Sequence, residues 1–270
     1  MDIQDFRPSI TAQVAESLRQ GRSLCVTGAA GAGKTHLAKL VIDKLPNCIY
    51  GVYKGDNLKT LQMIATGLEI DIYQINEEGD RGKELTAKQL KEEITLNLGD
   101  KILICDRAHK WTASLKGWLE DLHEDGKTLL LLGDRRDLEG VLFRVPRIQL
   151  QPLEEQQIRA LIWSKAVEIG VLMTPTKVAE LASRAGGNPF LAQRMVLELQ
   201  QGVDATNTQD GGNYRDITPF LMVIAGLVGA VRFIGMATGD IRLRILGGVA
   251  ITVFFSLRSL RLLFPKENRR

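Results

Sequence analysis

Ser23-Leu-Cys-Val-Thr27 runs into Gly28-Ala-Ala-Gly-Ala-Gly33-Lys34-Thr35, and His36–Lys44 follows as a helical pattern closed by Pro46. The glycine-rich segment is a full match to G-x-x-x-x-G-K-[ST], set between a strand and a helix as its mechanism demands. Glycine lets the backbone wind around a phosphate so that consecutive N–H groups point inward. The helix starting near Gly33 aims its positive end at the same anion. The expected nucleotide contacts are the backbone of Gly28, Ala29, Ala30, Gly31, Ala32 and Gly33, then Lys34, Thr35 and His36 at the helix start. Lys34 would reach the β- and γ-phosphates of ATP, and the Thr35 hydroxyl would ligate Mg²⁺.

Outward from this point, apolar strands alternate with helices. Ile10–Gln20 reads as a helix stopped by Gly21, Cys48–Tyr53 as a strand, and Leu58–Leu68 and Thr86–Leu98 as helices. Lys101–Asp106 and Thr128–Gly133 are further apolar strands, with a helix over Ser114–Asp125 between them. Near-continuous apolar strands in this alternation predict an α/β fold, a parallel sheet covered by helices on both faces. The nucleotide-binding domain is placed at residues 1–150. Glu154–Gly170, Pro175–Ala185 and Pro189–Gln201 read as three helices of a small all-helical lid, residues 151–201. Residues 202–215 are polar and read as a linker.

A second acid is expected where a neighbouring strand ends, to hold the metal through water. Asp106, after Ile-Leu-Ile-Cys, fits that position. A third strand ends at Gly133-Asp134, where the Asp134 side chain would sense the γ-phosphate or simply serve a turn.

The series formed by the P-loop, Asp106-Arg107-Ala108-His109, the Leu129–Leu132 strand and Arg144-Val-Pro-Arg147-Ile-Gln-Leu-Gln-Pro-Leu153 resembles AAA+ ATPases over roughly residues 10–200. Within that group it looks like the ATPases of the general secretion pathway and the ATP-binding proteins of transposition systems. The resemblance implies an arginine before the lid that acts in trans on a neighbouring subunit's nucleotide. Arg144 matches best, with Arg147 as runner-up, which implies a homo-oligomer. In the lid, Phe190 of Asn188-Pro189-Phe190 stands where such proteins often carry arginine; whether Arg194, one turn further, substitutes stays open. Arg107 is the larger departure, because relatives have a glutamate there to polarise the attacking water. A guanidinium cannot accept that proton. Tight nucleotide binding with slow turnover is therefore expected. The commoner role of a histidine at a strand exit, such as His109, is structural.

The formal charge of +3 is unevenly spread. Residues 211–270 hold nine Lys/Arg against three Asp/Glu, which leaves 26 against 29 in residues 1–210. Binding to nucleic acid is possible but not favoured by that acidic body. Cys25, Cys48 and Cys105 are too widely spaced for a metal set and odd in number, so buried reduced thiols are expected. The N-terminus lacks the basic start and apolar run of a signal peptide.

Residues 216–264 carry two uncharged runs, Ile217–Val231 and Ile245–Leu257, around the turn Thr238-Gly239-Asp240. A span needs about 20 predominantly apolar residues, a length each run reaches if a flanking arginine snorkels. The expectation is a transmembrane helical hairpin in the lipid bilayer, with a basic tail at 265–270. Glycines at 226, 229, 235, 247 and 248 would allow close helix packing. An interfacial hairpin and a buried hairpin in a soluble oligomer are the alternatives. A spanning hairpin puts the ATPase at the inner or cytoplasmic membrane, facing the cytosol. Taken together, the residues predict a membrane-anchored Mg-ATP-binding assembly factor or ATP-gated switch acting on an unknown protein client. The rival functions are a DNA-associated regulator of the transposition type and a nucleotide-dependent structural or defence switch.

Overall fold

A computed structural model describes residues 5–75, 81–134 and 140–202, together with Thr238. The chain divides at 211/212, inside the stretch read as a linker. The elements below all belong to the first unit.

In chain order they are α1 (Pro8–Arg19), β1 (Leu24–Gly28), α2 (Lys34–Lys44), β2 (Cys48–Val52), α3 (Asn57–Gly67), β3 (Tyr73–Ile75), β4 (Arg81–Glu84), α4 (Ala87–Asn97), β5 (Ile102–Asp106), α5 (Ala113–Glu124), β6 (Leu129–Asp134), α6 (Val141–Arg144), β7 (Arg147–Gln149), α7 (Glu155–Ile169), α8 (Pro175–Ala185) and α9 (Pro189–Gln200). Five strands form one sheet in the order β2-β5-β6-β1-β7, and every pairing in it is parallel. All five therefore end on the same edge. On that edge Gly28 stands opposite Asp134, and Asp106 opposite Val52.

The apolar strands alternate faces, and each face has its own core. Leu103 and Cys105 of β5 pack with Leu129 and Leu131 of β6 against α3, α4 and α5, through Leu61, Ile94 and Leu119. Ile102 and Ile104, with Leu130 and Leu132, face Val14 and Leu18 of α1 and Leu37 and Val41 of α2. A strand apolar at every position can only be buried on both sides, so the continuous runs and the two-faced sheet are one fact. The helices α7–α9 close on a separate cluster, Ile158, Leu161, Leu181, Met195 and Val196 among them.

Local chemistry sets the helix ends. Asp56 and Thr174 accept from the N–H groups of Lys59 and Lys177, the third residues of α3 and α8, Thr86 and Gln89 form a reciprocal box on α4, and Glu154 and Gln157 do so on α7.

The predicted helices and strands are present, with bounds that differ by one or two residues. Helix α2 starts at Lys34 rather than His36. Four elements lie where none was predicted: the antiparallel strands β3 and β4, the single turn α6, and a 3₁₀ turn at Ala108–Lys110. Their residues are few and polar or mixed, so no apolar period marks them. The linker beyond Gly202, the hairpin at 216–264 (Thr238 apart) and the tail at 265–270 lie outside the described residues. Among the described residues no helix is long and apolar enough to cross a membrane.

Cys25 and Cys105 are buried and Cys48 is half-buried; all three are free. Burial pushes the Cys25 thiol up to about 12 and Cys48 to about 11, against about 8.5 for an exposed thiol. A raised thiol pKa means that the folded state keeps protons which the unfolded chain releases. Stability is then complete below pH ~8.5 and declines as pH rises above it. The urea midpoint should fall between pH 8 and pH 10 more in the native protein than in a triple Cys→Ser variant. An aromatic disulfide reagent should label the thiols at pH 7 only as the chain unfolds.

Candidate nucleotide-binding site

Between β1 and α2 the chain turns through a loop that only glycine permits. Gly33 caps α2 with φ 93°, and no side chain caps the helix, so its first N–H groups stay directed at the loop's concavity. Gly31, at φ 78°, has the lid against it: a Cβ there would lie 2.7 Å from Asn188 Oδ1 and 2.8 Å from Phe190 Cβ. Any side chain at 31 would push the loop and the lid apart.

Lys34 folds back over this loop. Its Nζ donates to Gly28 O at 2.8 Å, to Ala29 O at 3.0 Å and to Asp134 Oδ1 at 2.7 Å. The pair is partly sheltered, with 12% of the Lys34 side chain and 33% of Asp134 exposed. The second Asp134 oxygen faces His109 Nε2 at 3.7 Å.

The neighbouring strand end holds Asp106, which is 3% exposed. Its Oδ2 accepts from Thr35 Oγ1 at 2.7 Å and Tyr50 Oη at 2.8 Å, and its Oδ1 from the Arg107 N–H at 2.7 Å. Burial, followed by the hydrogen bond to Asp106, raises the Tyr50 pKa, so the phenol remains a donor. Thr35 and Asp106 thus present two hard oxygens side by side, suited to Mg²⁺, which takes most of its other ligands from phosphate and water. No group of three or more His, Cys, Asp or Glu side chains able to hold a metal occurs among the described residues. A bound Mg²⁺ would neutralise charge on the β- and γ-phosphates.

Beside the loop is a cavity of about 280 Å³, near the lower end for ligand sites. Leu153, Leu161, Pro189 and Phe190 make its apolar wall, and exposed His36 stands at its margin. Arg7 lines it as well, and its guanidinium ties three segments together: Nη1 donates to Ala32 O at 3.1 Å and Nη2 to Gln151 O at 2.7 Å. Burial lowers the Arg7 pKa, yet arginine keeps its charge. Asn188 ties the lid to the loop: Nδ2 donates to Ala30 O at 2.9 Å, while Oδ1 accepts from the Phe190 and Leu191 N–H groups.

Residues 28–36, Asp106 and Asp134, all expected here, therefore do meet at one edge of the sheet. Arg144 and Arg147 do not. Arg147 pairs with Cys25 in the β1–β7 register, three residues or about 10 Å before Gly28. Its guanidinium lies over the Phe143 ring at 5.4 Å, and exposed Arg144 bonds Glu124 at 2.7 Å. Arg194 bonds Glu198 on its own helix and does not line the cavity. Arg7, Tyr50 and Asn188 were not foreseen. Only Asn188, a polar residue before a helix-starting proline and after Gly186-Gly187, carried any local signal.

A protein-family model described as an AAA domain matches residues 17–148. Those residues are an AAA domain. It contains the loop, Asp106 and Asp134, while Arg7 and the lid lie outside the match. No curated protein sequence matches the chain. Among solved structures, the Thermotoga maritima RuvB Holliday junction branch migration motor is 16% identical with a TM-score of 0.49, over 73% of this chain and 61% of that one. A DNA replication initiation factor is 15% identical at 0.49, over 83% and 69%. Domain III of the Thermotoga maritima replication initiation protein DnaA is 17% identical at 0.49, over 74% and 88%. The chain spans about three fifths of the length of the RuvB structure. TM-scores below 0.5 at such identities say nothing of what this AAA domain binds or does.

Lys34 must leave Asp134 to reach a phosphate. A partly sheltered ion pair is worth about 1 kcal/mol, so Asp134→Asn should tighten ADP binding by about fivefold in a calorimetric titration. Unchanged or weaker binding would show that the pair does not compete with nucleotide.

Proposed function

We propose that this chain is a membrane-anchored, Mg-ATP-binding AAA+-type assembly factor or ATP-gated switch that oligomerises as nucleotide binds. The observation that carries the reading is the convergence of Lys34, Thr35, Asp106 and Asp134 around one glycine loop, beside an apolar cavity roofed by the lid. In this reading Gly28–His36 hold the phosphates, Thr35 and Asp106 hold Mg²⁺, and Asp134 senses the γ-phosphate. The cavity along Leu153, Leu161 and Pro189 takes the base. The lid touches the loop through Asn188 and Phe190, so a phosphate that reshapes the loop is felt by the lid directly.

Arg144 and Arg147 stand well away from the phosphate loop of their own chain and are exposed. A guanidinium so placed is positioned to serve a nucleotide on a second copy more readily than its own, in keeping with a homo-oligomer. The glutamate-free Asp106-Arg107 pair supports slow turnover, on the order of one per minute or below, and so a state that persists more than a motor that cycles. The uncharged runs of residues 216–264 support a hairpin anchor, with the AAA domain on the cytosolic face and a protein client at the membrane.

Light scattering of the full chain in detergent should show growth of the assembly on Mg-ATP addition, no growth for Lys34→Ala, and no growth for Arg144→Ala despite intact ATP binding. If Arg144→Ala assembles normally and Arg147→Ala does not, the arginine in trans is Arg147. If both assemble, the trans reading is wrong.

Reconstituted with liposomes, the chain should stay with the membrane through a carbonate wash, whereas a chain cut at residue 211 should not pellet. Release of the full chain by carbonate would remove the spanning anchor. Salt-sensitive binding of DNA by the cut chain would favour the DNA-associated regulator instead.

A further inference from the structure

Position 107 leaves the nucleotide site without its usual water-directing carboxylate. Arg107 is exposed, its backbone is left-handed at φ 54°, and its N–H is spent on Asp106. Asp106 cannot fill the gap: three hydrogen bonds hold its two oxygens, and it is buried toward the metal side of the loop. The next carboxylate along the edge is Asp134. Its strand β6 runs between β5 and β1, so Asp134 stands between Asp106 and the phosphate loop, opposite Gly28.

The geometry points to Asp134 as the water-activating carboxylate of this AAA domain, held in aim by His109; this rests on the ATP-binding reading above. Oδ1 sits 2.7 Å from the Lys34 ammonium, the group that moves to the β- and γ-phosphates when nucleotide binds. That move would leave Oδ1 without its ammonium partner beside the phosphate loop, free to take a water. Oδ2 faces His109 Nε2 at 3.7 Å on the 3₁₀ turn that follows β5. Only 7% of the His109 side chain is exposed, so its ring is held by packing, and at 3.7 Å it abuts the carboxylate and limits its rotation. His109 is thus a positioning residue. In the reaction, the water oxygen bonds to the γ-phosphorus as the bond to the β,γ-bridging oxygen breaks. That oxygen keeps the electron pair and leaves as part of ADP. The water proton passes to Asp134 Oδ1 and then to solvent.

Sensing and activation separate cleanly in Asp134→Asn. An amide can accept from the Lys34 ammonium and donate to a γ-phosphate, but it cannot take a proton as the carboxylate can. With the full-length chain, phosphate release and ATP affinity are measured together, using Lys34→Ala as the blank. Turnover in Asp134→Asn should fall about 100-fold or to the blank, while ATP binds as tightly as in wild type or tighter. His109→Gln should lower kcat about tenfold and leave KM within about twofold, the split that a rotated base gives and a damaged binding site does not. Arg107→Glu added to Asp134→Asn should restore turnover, which shows that the missing function is a carboxylate and that the fold is intact.

Turnover of Asp134→Asn within threefold of wild type would overturn the inference and leave Asp134 a sensor. Wild-type turnover no faster than the blank, with ATP still bound, would overturn it and leave the switch reading standing. Failure of the wild type to bind ATP would overturn both.

Discussion

Parallel pairing of β1 with β6 and of β5 with β6 is the constraint from which the site follows. Strands that run the same way finish on the same edge, so residues more than a hundred positions apart in the chain arrive within hydrogen-bond reach. Gly28 and Asp134 are a register pair, and the Lys34 ammonium closes the short gap between them. Asp106 arrives one strand further along and is bonded to Thr35. A one-residue slip of β6 would turn Asp134 to the opposite face and strip Lys34 of its partner.

Around that edge, polar groups do the connecting. Arg7 binds the loop at Ala32 and the approach to the lid at Gln151. Asn188 binds the loop at Ala30 and caps the lid helix that starts there. Both act on backbone carbonyls, so the loop's conformation, more than its side chains, is what the N-terminal segment and the lid detect. Gly31 allows this intimacy, since a Cβ would collide with Asn188 and Phe190. Such a network transmits a change of loop shape without a long lever.

Lys34 is satisfied three times over, by two loop carbonyls and a carboxylate. A sheltered ammonium without partners would be costly, so these contacts stabilise the loop, and they are the ones a phosphate would have to displace. In the proposed mechanism the same exchange would uncover Asp134, so that binding and exposure of the carboxylate would be one event.

The sequence alone determined the glycine loop and its strand–helix setting, because G-x-x-x-x-G-K-T encodes a local conformation that needs no distant partner. It also determined the parallel sheet, through continuous apolar runs that admit burial on two faces, and the three lid helices, through their caps and periodicity. Asp106 and Asp134 were legible because each ends such a run. Tertiary structure alone decided what those acids touch, that Tyr50 and Arg7 join them, that Asn188 grips the loop, and that Arg144 and Arg147 stand apart from their own chain's site. The short β3–β4 pair and α6 were settled there too. The reason is common to all of these. A contact between residues 7 and 151, or 34 and 134, costs loop-closure entropy that only the assembled core offsets, and no local pattern records which polar side chain will find itself at the shared edge.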